Sequence, residues 1–115
     1  MNAVTQIDPA GLKAKMDAAE PFCLLDVREP WEVALASIPG SVAIPLHEIP
    51  ARLKELDVTC EIIVMCKVGG RSQRAADFLA AQGYQKVSNL KGGIDAWTRH
   101  RSGCPRILKT MDNYA

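Results

Sequence analysis

The run Glu61-Ile62-Ile63-Val64-Met65 passes without a break into Cys66-Lys67-Val68-Gly69-Gly70-Arg71-Ser72, and this junction constrains the fold more than any other part of the chain. An apolar run this short, with no alternating polar positions, is a strand buried on both faces. Phe22–Val27 has the same character. Strands covered on both faces need helices above and below the sheet, and the intervening segments supply them. Asp8 followed by Pro9 predicts a helix start, and Leu12 and Met16 one turn apart carry that helix to about Ala19. Glu29–Leu35 reads as a second helix, with Pro30 in its first turn. Residues 72–82 form a third, with Ala75, Phe78 and Leu79 inward and Gly83 at its C-terminal end. Gly92–Trp97 leads into the last. Short strands are predicted at Val42–Ile44 and Lys86–Leu90, a turn at Ile38–Ser41, and weak helix over 47–56 interrupted by Pro50. Helices and short strands alternate, and no Asn-Gly hairpin turn joins two strands. The fold class is therefore α/β, an open parallel sheet with helices on both faces. Ligands of such sheets bind off the carboxyl ends of strands, where the loop after Met65 lies.

At 115 residues the chain predicts a single domain, 1–115. It is 48% hydrophobic and 23% charged, which excludes disordered and fibrous classes. Fourteen basic against thirteen acidic residues leave a formal charge of +1. No global field recruits nucleic acid or an anionic membrane, and neither is expected as a partner. No apolar run approaches the ~20 residues of a membrane span. The N-terminal residues have no secretory pattern, and four cysteines (Cys23, Cys60, Cys66, Cys104) are too sparse for a disulfide framework. The expectation is a cytoplasmic protein with reduced thiols.

The Cys66 loop carries the chemistry. Gly69 and Gly70 let the backbone curl so that successive amides converge on one point, an anion-binding nest. The following helix aims its N-terminal dipole at the same point. Lys67 and Arg71 add positive charge nearby, and Cys66 sits at the mouth, where its thiolate is favoured. The expected site is a nucleophile in an anion pocket, made by Cys66, Lys67, Val68, Gly69, Gly70, Arg71 and Ser72.

With those residues in place, the chain resembles the single-domain rhodaneses, thiosulfate sulfurtransferase-type domains, over about residues 5–100, leaving 101–115 as a C-terminal extension. The segments that carry the resemblance are Leu24–Glu29 with Trp31-Glu32, Ile38–Pro45, Cys66–Ser72 with Ala75-Ala76, and Gly92–Trp97. The resemblance implies a mainly parallel five-stranded sheet flanked by helices. It also implies that Cys66 takes sulfane sulfur as a persulfide from a small anionic donor and passes it to a thiol or protein acceptor, or to cyanide. Neither metal nor organic cofactor is implied. Related phosphatases and arsenate reductases separate Cys and Arg by five residues, whereas four intervene here, the spacing of the sulfurtransferases. Two departures stand out. Ala36-Ser37 replaces the Gly-His of many members, with altered local packing expected, and Gly70 often corresponds to a polar residue, so a more mobile loop is expected. A rival reading keeps the same Cys66 in a sulfur-carrier or persulfide-sensing module that serves one partner protein.

Asp26 and Arg28 close the first buried run and are expected to brace the active-site end rather than react. Trp97 is expected to pack the last helix on the core, and Arg74 to be a solvated helix residue. His47 and His100 stand at no catalytic spacing, and the cysteines lack the close pairs of a zinc site. Cys23 reads as a core residue, Cys60 and Cys104 as ordinary free thiols, and the protein as a monomer or weak homodimer.

Overall fold

A computed structural model describes residues 3–100, and the expectations for Cys104 and the extension lie outside these described residues. The chain runs β1 (Thr5–Ile7), α1 (Pro9–Asp17), β2 (Cys23–Asp26), α2 (Pro30–Leu35), β3 (Val42–Ala43), β4 (Ile62–Met65), α3 (Gly70–Ala81), β5 (Val87–Leu90) and α4 (Gly93–His100). Two 3-10 turns, Leu46–Glu48 and Leu53–Glu55, stand where the sequence predicts weak helix, on either side of Pro50. The five strands pair in the order β1-β5-β4-β2-β3, and every pairing is parallel.

Alternation along β4 explains why its sequence looks uniformly apolar. Ile62 and Val64 face a cluster with Ala75, Ala76 and Leu79 of α3, while Ile63 and Met65 face one with Leu12 of α1 and Ile94 and Trp97 of α4. Both faces are covered, so no polar position can alternate. Trp97 packs in the second cluster, as expected.

Two elements differ from the sequence reading. β1 is an edge strand of three residues, Thr-Gln-Ile, and only Ile7 packs against the core; so short and polar a segment has no hydrophobic period. α3 begins at Gly70, two residues before the predicted start. Asp8 caps α1 as predicted, its side chain accepting from the Gly11 amide at 2.8 Å.

Candidate active site

Cys66 follows the last residue of β4 and is 1% exposed. Its Sγ accepts from the Gly69 amide at 3.0 Å, and the Ser72 hydroxyl lies 3.3 Å away. Burial of the thiol pushes its pKa up. The Ser72 hydroxyl and the amides of Ser72, Gly69 and Val68 pull it down, and together they hold it below the ordinary thiol value. The amides converge because Gly69 adopts φ +117°, a backbone conformation that L side chains rarely adopt. One of the two glycines therefore makes the curl. Gly70 has no positive φ and is the first residue of α3, a correction to the sequence reading of both as curl-makers.

The remaining loop residues are distributed around this core. Val68 is 63% exposed and contributes its backbone. Lys67 pairs through Nζ with Asp95 of α4 at 2.9 Å. Arg71 lies close enough for the Cys66 charge to raise its pKa, but its guanidinium is already held by Glu32 of α2, at 2.7 and 2.9 Å. The strongest influence on Glu32 is that hydrogen-bonded guanidinium, and despite burial its carboxyl is lowered to about 2. Both cations of the loop thus carry carboxylate partners, and the thiolate is held chiefly by neutral N–H and O–H donors. This arrangement suits a charge that must be present at one step and shared with a second atom at the next, because fixed dipoles need no reorganisation.

Asp26 and Arg28 are buried and paired, Nη2 to Oδ2 at 2.7 Å. Arg28 also donates to the carbonyl of Ala36 at 2.7 Å, so this pair fastens the C-terminal end of the short helix that carries Glu32. Bracing reaches the Cys66 loop through α2 and Arg71.

Three contributors escaped the sequence reading. Glu32 also closes a capping box with Glu29, its side chain accepting from the Glu29 amide at 3.0 Å. Asn89 reaches Ser72 from β5. Gly93 (φ +61°) lies so close to the loop that a Cβ there would overlap the carbonyl oxygens of Cys66 and Lys67. Those carbonyls accept from the amides of Ile94 and Asp95, at 2.9 and 3.1 Å. The start of α4 therefore clamps the start of the loop. The Gly92-Gly93 pair was visible in the sequence, but the close approach of two backbones that explains Gly93 was not.

A parallel five-stranded α/β sheet with a buried cysteine in an amide nest at a strand's carboxyl end defines the class. The model of the family described as "Rhodanese-like domain" matches residues 8–100, and the chain belongs to that family. A protein from Allochromatium vinosum named "Sulfurtransferase" is 39% identical over 97 residues, covering 84% of this chain and 91% of that one. YrkF of Bacillus subtilis, whose name provisionally makes it a sulfur carrier, is 40% identical over 97 residues; the match spans 84% of this chain and 52% of YrkF. Among solved structures, a rhodanese-like domain protein from Staphylococcus aureus superposes with a TM-score of 0.78 at 31% identity, covering 82% of this chain and 91% of that one. The five-stranded sheet expected from the resemblance is thereby borne out, with every pairing parallel. Among the described residues no helix is long and apolar enough to cross a membrane, and no cluster of His, Cys, Asp and Glu could hold a metal.

Proposed function

We propose that the protein is a rhodanese-type sulfurtransferase in which Cys66 carries sulfane sulfur from a small anionic donor, with thiosulfate as the simplest example, to a thiophilic acceptor. The Cys66 thiolate attacks the outer sulfur of thiosulfate. A bond forms between Sγ and that sulfur, the donor's S–S bond breaks, and its electron pair leaves with sulfite. Cys66 then holds a persulfide anion. A thiolate of a dithiol or protein, or cyanide, attacks the outer sulfur; the Sγ–S bond breaks and its pair returns to Cys66. Neither step needs a proton, a metal or an external oxidant.

The observation that carries this reading is the Gly69 amide 3.0 Å from Sγ in a nest that lowers the thiol pKa. The same nest accommodates an anion on the sulfur bonded to Sγ. The Allochromatium relative's name supports transfer as the activity. The three described cysteines are free, which fits a reducing compartment such as the cytoplasm.

The test is mass spectrometry after thiosulfate exposure, followed by turnover with cyanide and with a panel of thiols. One added sulfur on Cys66, released with turnover, is the expected result. Absence of added sulfur would overturn the reading. The name of YrkF favours a second outcome, a carrier that loads sulfur on Cys66 and releases it only to a partner protein. Stoichiometric loading without release to small acceptors would select it.

A further inference from the structure

A file of side-chain amides leads from the thiol to the protein surface. Ser72 is fully buried, and its hydroxyl faces three acceptors: Cys66 Sγ at 3.3 Å, the Gly69 carbonyl at 3.2 Å, and Asn89 Oδ1. A serine hydroxyl has one proton, so it serves one of them at a time. Asn89, itself 4% exposed, donates from Nδ2 to Gln6 Oε1 at 3.0 Å, and Gln6 donates from Nε2 to Gln73 Oε1 at 2.6 Å. Read outward, every bond points the same way, from Ser72 to Asn89 to Gln6 to Gln73. In this polarity the Ser72 proton is drawn toward Asn89, and the lone pairs of Oγ are left for the proton of a neutral Cys66 thiol.

The thiolate requires the opposite. An anion on Sγ needs the Ser72 proton, and Ser72 can turn it inward at no loss only if Asn89 stops asking for it. An asparagine amide has nearly the same shape in both orientations, so turning it over presents Nδ2 to Ser72 in the same space. Gln6 and Gln73 lie in positions where water can replace the bonds they give up, including that from Gln73 to Asp77 at 2.9 Å.

We propose that Asn89 is a positioning residue for the transfer reaction: its amide turns over with the charge on Cys66, and so decides whether the Ser72 hydroxyl serves the sulfur. The inference rests on Cys66 being the reactive thiol of the proposed function. It gives a physical reason for an asparagine in a strand whose neighbours are Ser88 and Leu90. It also assigns a use to Gln6 on β1, the edge strand that closes the file at the carboxyl end of the sheet. Among the described residues, the ion pairs on the elements around Cys66 are Arg71 with Glu32 of α2, Lys67 with Asp95 of α4, and Asp26 with Arg28 at the end of β2; Glu29 also acts on Arg71, and α3 and α4 further carry Arg74, Asp77, Arg99 and His100. Each cation of those pairs already has its carboxylate, which leaves the Ser72 proton as the adjustable donor.

The experiment is the pH profile of Cys66 alkylation by iodoacetamide in the full chain, for the parent, Asn89→Asp, Ser72→Ala and the double variant. Aspartate has the same shape as asparagine but only accepts, so it holds the Ser72 proton away from Sγ. Asn89→Asp should raise the alkylation midpoint by about one pH unit or more, a tenfold loss of thiolate below the midpoint. In the Ser72→Ala background the same change should move it by less than half as much. Equal shifts in the two backgrounds, or none, would overturn the proposal, because the new charge would then act through space or not at all. A second measurement needs no buried variant. In the parent protein the side-chain amide resonances of Asn89 should titrate with the Cys66 midpoint, and resonances that stay fixed through that midpoint would equally overturn it. Alkylation does not depend on sulfur transfer, so the two readings fail separately. A parent that never gains sulfur removes the function, whereas transfer with additive variants removes only the role of Asn89.

Discussion

Cys23 and Cys66 belong to neighbouring strands of one sheet and have opposite chemistry. Cys23 opens β2 at the amino end, where its strand pairs with Ile62; Cys66 follows β4 at the carboxyl end. Burial pushes Cys23 up, with a contribution from the charge of Cys60. Burial acts on Cys66 in the same direction, yet the hydrogen bonds from Ser72, Gly69 and Val68 reverse the outcome. The difference comes from the direction of the chain. In a parallel β-α unit the carboxyl end of a strand meets the N-terminus of the next helix, where amides are free, so a buried thiol can be paired as an anion there. Cys60 adds a control, since it is exposed but partial desolvation and the charge of Asp57 raise it. Exposure alone does not make a reactive thiol.

The largest test of this contrast exchanges the two thiols' roles. Cys66→Ser should abolish sulfur loading and turnover, because serine cannot form a persulfide, while Cys23→Ser should keep turnover within about threefold. Loading measured by mass spectrometry and turnover with cyanide decide it. Transfer that survives in Cys66→Ser and disappears in Cys23→Ser would invert the comparison.

Gly93→Ala attacks the clamp that seats the loop. The new methyl overlaps two carbonyl oxygens, and alanine at φ +61° is strained as well. Thermal or urea unfolding should show a loss of about 3 kcal/mol. Stability equal to the parent would mean that α4 moves away from the loop at no cost.

Next in size is Arg71→Ala. Charge-assisted hydrogen bonds contribute roughly 1.5–3 kcal/mol, so removing the partner of Glu32 should lower stability by about that amount in urea unfolding. Arg71→Lys should recover only part of this, since an ammonium cannot match both oxygens of Glu32. The pH dependence has a definite sign. Glu32 is depressed to about 2 chiefly by Arg71, so its contribution to stability is full above the ordinary carboxylate range and is lost as pH falls through about 2. In Arg71→Ala only the smaller depressions from the Glu29 backbone and the Arg28 charge remain against burial, so this acid-dependent loss of stability should shrink. Acid unfolding curves that coincide for parent and variant would show that the pair does not stabilise the fold.

The sequence made the Cys66 end of the sheet legible because local signals coincide there: a wholly apolar strand, Gly69, and a helix with inward Ala75 and Leu79. Strands β2 and β4 were readable for the same reason, each lying in an apolar run with burial on both faces. β1 was not, because two of its three residues are polar and its place depends on hydrogen bonds to β5 that only the folded chain supplies. The same limit applies to the site. Charges at Lys67 and Arg71 were visible, but their partners Asp95 and Glu32 come from 28 and 39 residues away. Ser72 was identified by its place in the loop. Asn89, 17 residues beyond it, had no local mark. Spacing along one loop reports the backbone well and reports poorly which side chains other elements will deliver.

The smallest effect separates Gly69 from Gly70, adjacent residues that look equivalent in the sequence. Gly69 holds φ +117°, and its amide is the 3.0 Å donor to Sγ. Alanine there should cost about 1–3 kcal/mol of stability and draw the amide away from the sulfur. Gly70 is the first residue of α3, has no positive φ, and a Cβ built on it meets nothing within 4 Å. Alanine at Gly70 removes freedom from the unfolded chain without strain in the folded one, so stability should rise by about 0.4–1 kcal/mol. The Cys66 alkylation profile should stay where it is in Gly70→Ala and move to higher pH in Gly69→Ala. Both variants are read by urea unfolding and by alkylation of the same samples. A gain of stability in Gly69→Ala, or a displaced Cys66 profile in Gly70→Ala, would show that the two glycines share the curl after all.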